Sequence, residues 1–152
     1  MGSHTYDLTL ESLVLEDREM TIDVPALPDG SNKKTYDILV KGDLSFANST
    51  KIVKLYVNLP DAKRLVRFFV NGNINFDNNA NYEYVQVKIN GVVVENKDYG
   101  GNLLFYSPNN IQMKGSSDPG SGKIVHNATA FIQGTFITSG TIFLRTHVAI
   151  AG

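Results

Sequence analysis

The chain of 152 residues contains no cysteine and no tryptophan. The absence of cysteine excludes disulfides, thiolate metal sites and a cysteine nucleophile, but it indicates no compartment, because secreted and intracellular proteins can both lack it. The chain also has no excess of charge of either sign, since Lys and Arg total 14, Asp and Glu total 15, and the formal net charge is −1. A chain this close to neutral has no electrostatic basis for nucleic acid as its main partner.

Long hydrophobic runs are missing as well. No apolar run approaches the length of a membrane-spanning helix, so we expect no transmembrane helix and no membrane insertion. The N-terminus lacks the basic and apolar regions of a signal peptide. Residues 1–4 (Met-Gly-Ser-His) resemble a vector-derived leader, and we expect residues 5–152 to form one domain.

The chain does have an alternation of apolar and polar residues over most of its length. From Tyr36 to Phe46 apolar side chains stand at every second position, interrupted at Gly42. This period is typical of a strand with one face in a core and the other in water. Similar runs recur between short turn sequences, and no repeat at a fixed period is visible. We therefore predict an all-β fold, a single antiparallel, jelly-roll-like β-sandwich of about nine to ten strands, with a small barrel as the alternative.

Three dipeptides mark the hairpins of this interpretation. Asn90-Gly91 is the strongest signal, because it separates two β-rich runs by a pair that favours a tight turn. Asn71-Gly72 predicts a second hairpin, and Ser139-Gly140 predicts a last one between residues 124–137 and 141–150. The final strand is so apolar that we expect it to be central in its sheet.

Catalytic chemistry is sparse. In the register of the last hairpin His147 faces Ile132 and His126 lies beyond its partner strand, so a shared zinc site would need a different register. Two separately hydrogen-bonded histidines are the favoured interpretation. The acidic residues near the N-terminus fit the solvent-exposed faces of strands and a charged turn better than they fit the paired carboxylates of a glycosidase. We predict no catalytic residue and no cofactor. The acidic residues are Asp7, Glu11, Glu16, Asp17, Glu19 and Asp23.

The richest segment is residues 71–81, of which seven are Asn or Asp. Their oxygens can bind calcium or hydrogen-bond sugar hydroxyls, and the tyrosines that follow offer apolar faces to a pyranose ring. Asparagine is also a common turn residue, so a plain turn is the alternative. The EF-hand pattern is missing, which leaves the metal unknown. We predict a ligand site with Asp77 as its best anchor. The candidate residues are Asn73, Asn75, Asp77, Asn78, Asn79, Tyr82 and Tyr84.

Three segments, residues 82–91, 127–134 and 141–150, resemble strands of the trimeric jelly-roll heads of the C1q and tumour-necrosis-factor type, including viral and phage fibre heads. Phage capsid decoration proteins are a further resemblance. These resemblances imply a homotrimer whose loops bind a receptor or glycan, outside the cell or on a virion. We expect a non-enzymatic structural or binding module that oligomerises, with a trimer favoured. The alternatives are a monomeric carbohydrate-binding module and a carboxylate-based hydrolase.

Overall fold

The computed structural model describes residues 4–16, 18–28, 32–46, 54–76, 83–94, 102–114, 130–133, 135–145 and 148–151. These residues contain sixteen β-strands and no α-helix. In chain order the strands are β1 (Leu8–Leu10), β2 (Leu13–Leu15), β3 (Glu19–Asp23), β4 (Thr35–Val40), β5 (Leu44–Phe46), β6 (Lys54–Leu59), β7 (Leu65–Val70), β8 (Ile74–Phe76), β9 (Glu83–Ile89), β10 (Val92–Val93), β11 (Leu103–Ser107), β12 (Ile111–Lys114), β13 (Ala130–Gln133), β14 (Thr135–Thr138), β15 (Ile142–Arg145) and β16 (Val148–Ala151).

The strands form three parallel sheets that the chain visits in turn. Sheet A has the order β1-β4-β7-β11-β14, sheet B the order β2-β5-β8-β12-β15, and sheet C the order β3-β6-β9-β13-β16. Successive strands along the chain belong to successive sheets, with β10 as a side branch of β9. The described strands therefore form a three-sided β-solenoid of five coils, in which coil 1 is β1–β3 and coil 5 is β14–β16.

The predicted antiparallel jelly-roll-like sandwich is wrong. Among the described residues every strand pairing is parallel except that of β9 with β10. The sheets also differ from those of doubly wound folds, because no helix connects the described strands. Alternation could not separate these cases, since a strand with one buried face has the same period in a sandwich and in a solenoid. The final strand is likewise at the edge of sheet C and not central.

The corner between sheets A and B is held by side chains that recur from coil to coil. Asp43 Oδ1 accepts a hydrogen bond from the backbone N of Asn73 at 2.8 Å. Asn73 Oδ1 accepts one from the N of Asn110 at 3.3 Å, and Asn110 Oδ1 one from the N of Thr141 at 3.0 Å. Each side chain therefore satisfies a corner N–H of the next coil, and we call these three acceptor residues the corner ladder.

These bonds reveal a repeat, which overturns the expectation that the chain has none. The three bonded pairs join equivalent positions of neighbouring coils, and their members stand 30, 37 and 31 positions apart in the sequence. Connections of unequal length hide the period: residues 90–102, which include β10, separate β9 from β11, whereas residue 134 alone separates β13 from β14. The same repeat stacks one inward position of sheet A, occupied by Leu8, Ile38, Phe68, Phe105 and Phe136.

The core is a set of apolar ladders inside the triangle of sheets. Phe68 stacks on Phe105 with ring centroids 4.6 Å apart, and Phe105 stacks on Phe136 at 4.8 Å. Phe46 and Phe76 stack in the same way at 5.0 Å. Such pairs contribute about 0.5–1.5 kcal/mol each beyond the burial of their area. Phe46, Phe68, Phe76 and Phe105 are each fully buried inside the solenoid.

Two of the predicted hairpins are corners of the solenoid. Residues 71–73 join β7 of sheet A to β8 of sheet B, and residues 139–141 join β14 to β15 in the same way. The hairpin at Asn90-Gly91 is confirmed, because β10 pairs antiparallel with β9 and the two turn residues have φ values of 49° and 80°. Positive φ occurs at no other described residue, so Gly72 serves a different need.

That need is space. A Cβ on Gly72 would lie 2.6 Å from the carbonyl O of Gly42 and would also meet Asp43 Oδ1 of the corner ladder. The backbone of coil 2 cannot withdraw, because the N of Gly72 donates to that same carbonyl at 2.9 Å. Glycine at this corner permits the close stacking of coils 2 and 3.

We expect Gly72→Ala to lower the free energy of unfolding by about 2–3 kcal/mol, because it overpacks the corner against backbone. The matched control is Gly91→Ala, where a Cβ has nothing within 4 Å and only the positive φ opposes it, at a cost of about 1 kcal/mol. Urea denaturation followed by circular dichroism measures both. Equal losses in the two variants would mean that stacking space is not what the corner requires.

Candidate functional site

The outer face of sheet A carries an uninterrupted row of apolar side chains. Leu39, Phe69, Tyr106 and Ile137 occupy one outward position on four successive strands, and we call them the outer apolar ladder. Leu39 and Phe69 are half-buried, while Tyr106 is 36% exposed and Ile137 48% exposed. Three strand spacings separate the ends of this ladder, a length of about 14 Å.

Among the described residues, the outward positions of the other two sheets are mostly polar, although Phe143 follows Gln112 in the outward register of sheet B. On sheet B the ladder Ser45, Asn75, Gln112 continues an outward row that begins at the exposed Val14. On sheet C the outward positions include Asp23, Asn58 and Lys88 in one ladder and Thr21, Tyr56 and Gln86 in the next. Tyr56 there lies beneath the ammonium of Lys88, whose Nζ is 3.9 Å from the ring centroid. Sheet A is therefore the face whose exposed surface resembles an interface more than a solvated sheet.

A buried ion pair lies beside the outer apolar ladder. Asp37 is 1% exposed although it points outward, and Arg67 on the next strand binds both of its oxygens, with Nε to Oδ1 at 2.7 Å and a second N–H to Oδ2 at 2.6 Å. This hydrogen bonding raises the pKa of the Arg67 guanidinium. The guanidinium carbon is 5.5 Å from the ring centroid of Phe69. The pair thus neutralises itself and also covers one aromatic ring.

The N-terminal residues pack against the same face. The Tyr6 ring lies 5.6 Å from that of Phe69 at an interplanar angle of 66°, and the Phe69 and Tyr106 rings are 6.3 Å apart at 59°. His4 contacts both Tyr6 and Phe69, and its Nε2 is 2.9 Å from Asp37 Oδ2. The rings are tilted against one another, so they offer an irregular apolar surface and not one flat platform for a sugar ring.

Asp7 fastens the N-terminal segment to coil 2. Its two oxygens each lie 2.8 Å from Lys33 Nζ, and Oδ2 also accepts from the backbone N of Asp37 at 2.8 Å. Burial alone would raise the pKa of Asp7, but the hydrogen bonds from Lys33 and then from Asp37 N outweigh it, so the pKa is lowered. A lowered pKa is the opposite of what a general acid needs.

A groove runs along the edge of the corner between sheets A and B. It has a volume of about 220 Å³ and is lined by Asn73, Asn75, Asn110, Gln112 and the backbone neighbour Ile74. The Oδ1 atoms of Asn73 and Asn110 are already used in the corner ladder. Asn75 Oδ1 is buried and has no hydrogen-bond partner within the described part of the chain. We call this cavity, after the four polar side chains that line it, the amide groove.

Two of the predicted ligand residues, Asn73 and Asn75, are brought together in the amide groove. The side chain of Tyr84 is not described, although its backbone belongs to β9 of sheet C. Sequence reasoning missed Asn110 and Gln112, which the repeat between coils 3 and 4 would have revealed had it been recognised. Other predicted positions lie outside the described residues, namely Asp77, Asn78, Asn79, Tyr82, His126 and His147.

A second cavity, of about 330 Å³, lies where sheet C returns to sheet A. Arg64 in its wall is buried and donates to the carbonyls of Lys33 at 3.0 Å and Pro25 at 3.2 Å. Its Nε is enclosed and has no partner among the described residues, so it is not accessible to a ligand. Arg64 therefore acts as a brace between coils.

Within the described ranges no group of three or more His, Asp or Glu side chains is arranged to hold a metal ion. No helix in the described part of the chain is long and apolar enough to cross a membrane. Comparisons with family models, with curated proteins and with solved structures found no match to this chain.

We expect Arg67→Met to lower the free energy of unfolding by about 3 kcal/mol, because it leaves the buried carboxylate of Asp37 without its main partner. The double variant Arg67→Met/Asp37→Leu should recover most of that loss, since no charge then remains buried. Removing an exposed pair by Lys41→Met, which breaks the 2.9 Å contact with Glu11, should cost less than about 1 kcal/mol. Chemical denaturation measures all three, and a double variant no more stable than the single one would contradict this account.

Proposed function

We propose that the protein is a non-enzymatic β-solenoid that associates with further copies of itself through the outer face of sheet A. The observation that carries this proposal is the outer apolar ladder, which places Tyr106 and Ile137 in water, while the described outward positions of sheets B and C are mostly polar. Contiguous apolar side chains on a sheet face are typical of surfaces that another chain covers.

The composition of the face favours a protein partner of the same kind. Aromatic and arginine side chains are enriched at protein interfaces, and here Arg67 packs on Phe69 beside Tyr106. Because Asp37 and Arg67 neutralise each other, two identical faces meet without repulsion. A closed homo-oligomer follows from such self-complementarity. The resemblance to trimeric heads implied a trimer, but those heads are jelly rolls and this fold is a parallel solenoid. Direct packing of two sheet A faces gives a dimer.

A carbohydrate-binding role is the second candidate, and the amide groove favours it. Asn75 and Gln112 stand side by side on adjacent strands and both line the groove, where side-chain amides can hydrogen-bond ligand hydroxyls. The groove is small, so it suits one or two sugar rings and not a long chain. A hydrolase is not favoured, because the described carboxylates near the outer face are already paired or have a lowered pKa.

For self-association through sheet A, we expect Ile137→Lys to reduce the mass measured by light scattering, because it places a charge in the outer apolar ladder. The matched control is Thr21→Lys, which adds the same charge to an exposed outward position of sheet C and should leave the mass unchanged. A wild-type chain that is monomeric at tens of micromolar, or an Ile137→Lys chain with the wild-type mass, would contradict the proposal.

For carbohydrate binding, we expect any glycan found on an array to bind Gln112→Ala about tenfold more weakly, the loss of roughly one hydrogen bond. Ser45→Ala is the control, since Ser45 lies in the same outward ladder of sheet B but does not line the amide groove. If both variants bind like the wild type, the groove is not the glycan site.

A further inference from the structure

The chain contains the dipeptide Asn-Gly twice, at residues 71–72 and 90–91. Asparagine is chemically least stable when glycine follows it, because glycine has no side chain to hinder its own backbone N. That N can lose its proton and attack the asparagine Cγ, which closes a succinimide ring and expels the side-chain amide as ammonia. Water then opens the ring at either carbonyl and leaves aspartate or isoaspartate. Both pairs are therefore candidate sites of spontaneous deamidation, and their surroundings differ.

Asn71-Gly72 has no room for that ring. The N of Gly72 donates to the carbonyl of Gly42 at 2.9 Å, and a Cβ on Gly72 would lie 2.6 Å from the same oxygen. On the side of coil 4, Ser107 Oγ donates to the carbonyl of Gly72 at 2.6 Å. Asn109 Nδ2 donates to the carbonyl of Asn71 at 2.7 Å. The attacking N and both backbone carbonyls are thus fixed between two neighbouring coils.

Asn90-Gly91 is exposed at the turn of the β9–β10 hairpin. A Cβ on Gly91 would have nothing within 4 Å, so a ring formed here meets no neighbouring coil. The N of Asn90 donates to the carbonyl of Leu59 at 3.0 Å. The N of Gly91, which is the attacking atom, is held by a side chain instead, since it donates to Asn58 Oδ1 at 2.8 Å.

The side chain of Asn58 is itself oriented from coil 1. Its Nδ2 donates to Asp23 Oδ1 at 2.8 Å. A carboxylate accepts hydrogen bonds and does not donate them, so Asp23 keeps the amide nitrogen on its own side and turns the amide oxygen toward Gly91. Asp23, Asn58 and the N of Gly91 therefore form a chain of hydrogen bonds across coils 1, 2 and 3, which we call the turn relay.

We propose that Asn90-Gly91 is the Asn-Gly pair that deamidates in the folded protein, and that the turn relay sets the rate of this reaction. Attack on Asn90 Cγ requires the N of Gly91 to leave Asn58 Oδ1, because the N–H that the relay holds points away from the side chain it would attack. Water is the only co-reactant. The product carries a carboxylate in place of an amide, and isoaspartate also adds a carbon to the backbone of the turn. This site belongs to sheet C and does not depend on association through sheet A.

The test is peptide mapping by mass spectrometry of the folded chain during storage in mildly alkaline buffer, where the attacking N loses its proton more readily. We expect the mass change of amide-to-acid conversion at Asn90 before any at Asn71. Asn58→Ala should raise the rate at Asn90 about fivefold, since one hydrogen bond no longer has to break before attack. The rate at Asn71 should stay unchanged. Thr21→Ala removes an outward side chain of the neighbouring ladder in sheet C, and this control should change neither rate.

Conversion of Asn71 before Asn90 in the wild type overturns the choice of site. An Asn58→Ala chain that reacts at Asn90 no faster than the wild type overturns the role of the relay. Equal acceleration at both positions also overturns it, because a general loosening of the fold acts on Asn71 as well.

A second set of variants decides the case if Asn58→Ala does not fold. Asp23→Ala should speed conversion of Asn90, because the amide of Asn58 is then free to turn its nitrogen toward Gly91. The exchanged pair Asp23→Asn/Asn58→Asp should return the rate to near that of the wild type. The carboxylate then stands at position 58, where it accepts from the amide at position 23 and from the N of Gly91. An exchanged pair that reacts as fast as Asp23→Ala would show that orientation of the amide does not control the reaction.

Discussion

Everything in this molecule depends on the stacking of one coil on the next in a fixed register. Backbone hydrogen bonds of three parallel sheets run along the solenoid axis, and the corner ladder adds side-chain bonds in the same direction. The register then decides which side chains become core. One slip of a strand by a single residue would move its whole apolar set from the inside to the outside. The stacked rings of Phe68 and Phe105 and the close approach at Gly72 both follow from this constraint.

The sequence predicted local structure well and topology badly, for a physical reason. Alternation correctly indicates strands such as β4 and β6, because it reports only that one face is buried. Whether the neighbour in the sheet is the next strand along the chain or a strand one full coil away is not encoded in that period. The pair Asn-Gly illustrates the point: at Asn90-Gly91 it makes a hairpin, while at Asn71-Gly72 it makes a corner, because Gly72 is required by the backbone of the preceding coil.

The candidate surfaces were likewise predictable only in part: residues within one segment could be identified, but their partners from other coils could not. Asn73 and Asn75 were identified as notable from composition alone, and they do line a groove. Their neighbours Asn110 and Gln112 are distant in sequence and join them only through the register of β8 and β12. The outer apolar ladder was invisible for a similar reason, since its four members belong to four separate runs. Each one alone is an ordinary strand residue, and only the parallel register makes them a surface.

The connections at one corner of the solenoid have a nearly constant length, whereas the connections at the other corners vary in length. Sheets A and B are connected by residues 11–12, 41–43, 71–73, 108–110 and 139–141, so the length is constant from coil 2 onward. Sheets B and C are connected by residues 16–18, 47–53, 77–82, 115–129 and 146–147, which differ widely in length. A connection that carries the corner ladder has no freedom in length, because one more residue would take each acceptor away from its N–H. The two other corners, from sheet B to sheet C and from sheet C back to sheet A, absorb insertions without disturbing the stack. They are where such a scaffold can gain and exchange loops while its axis and faces keep their geometry.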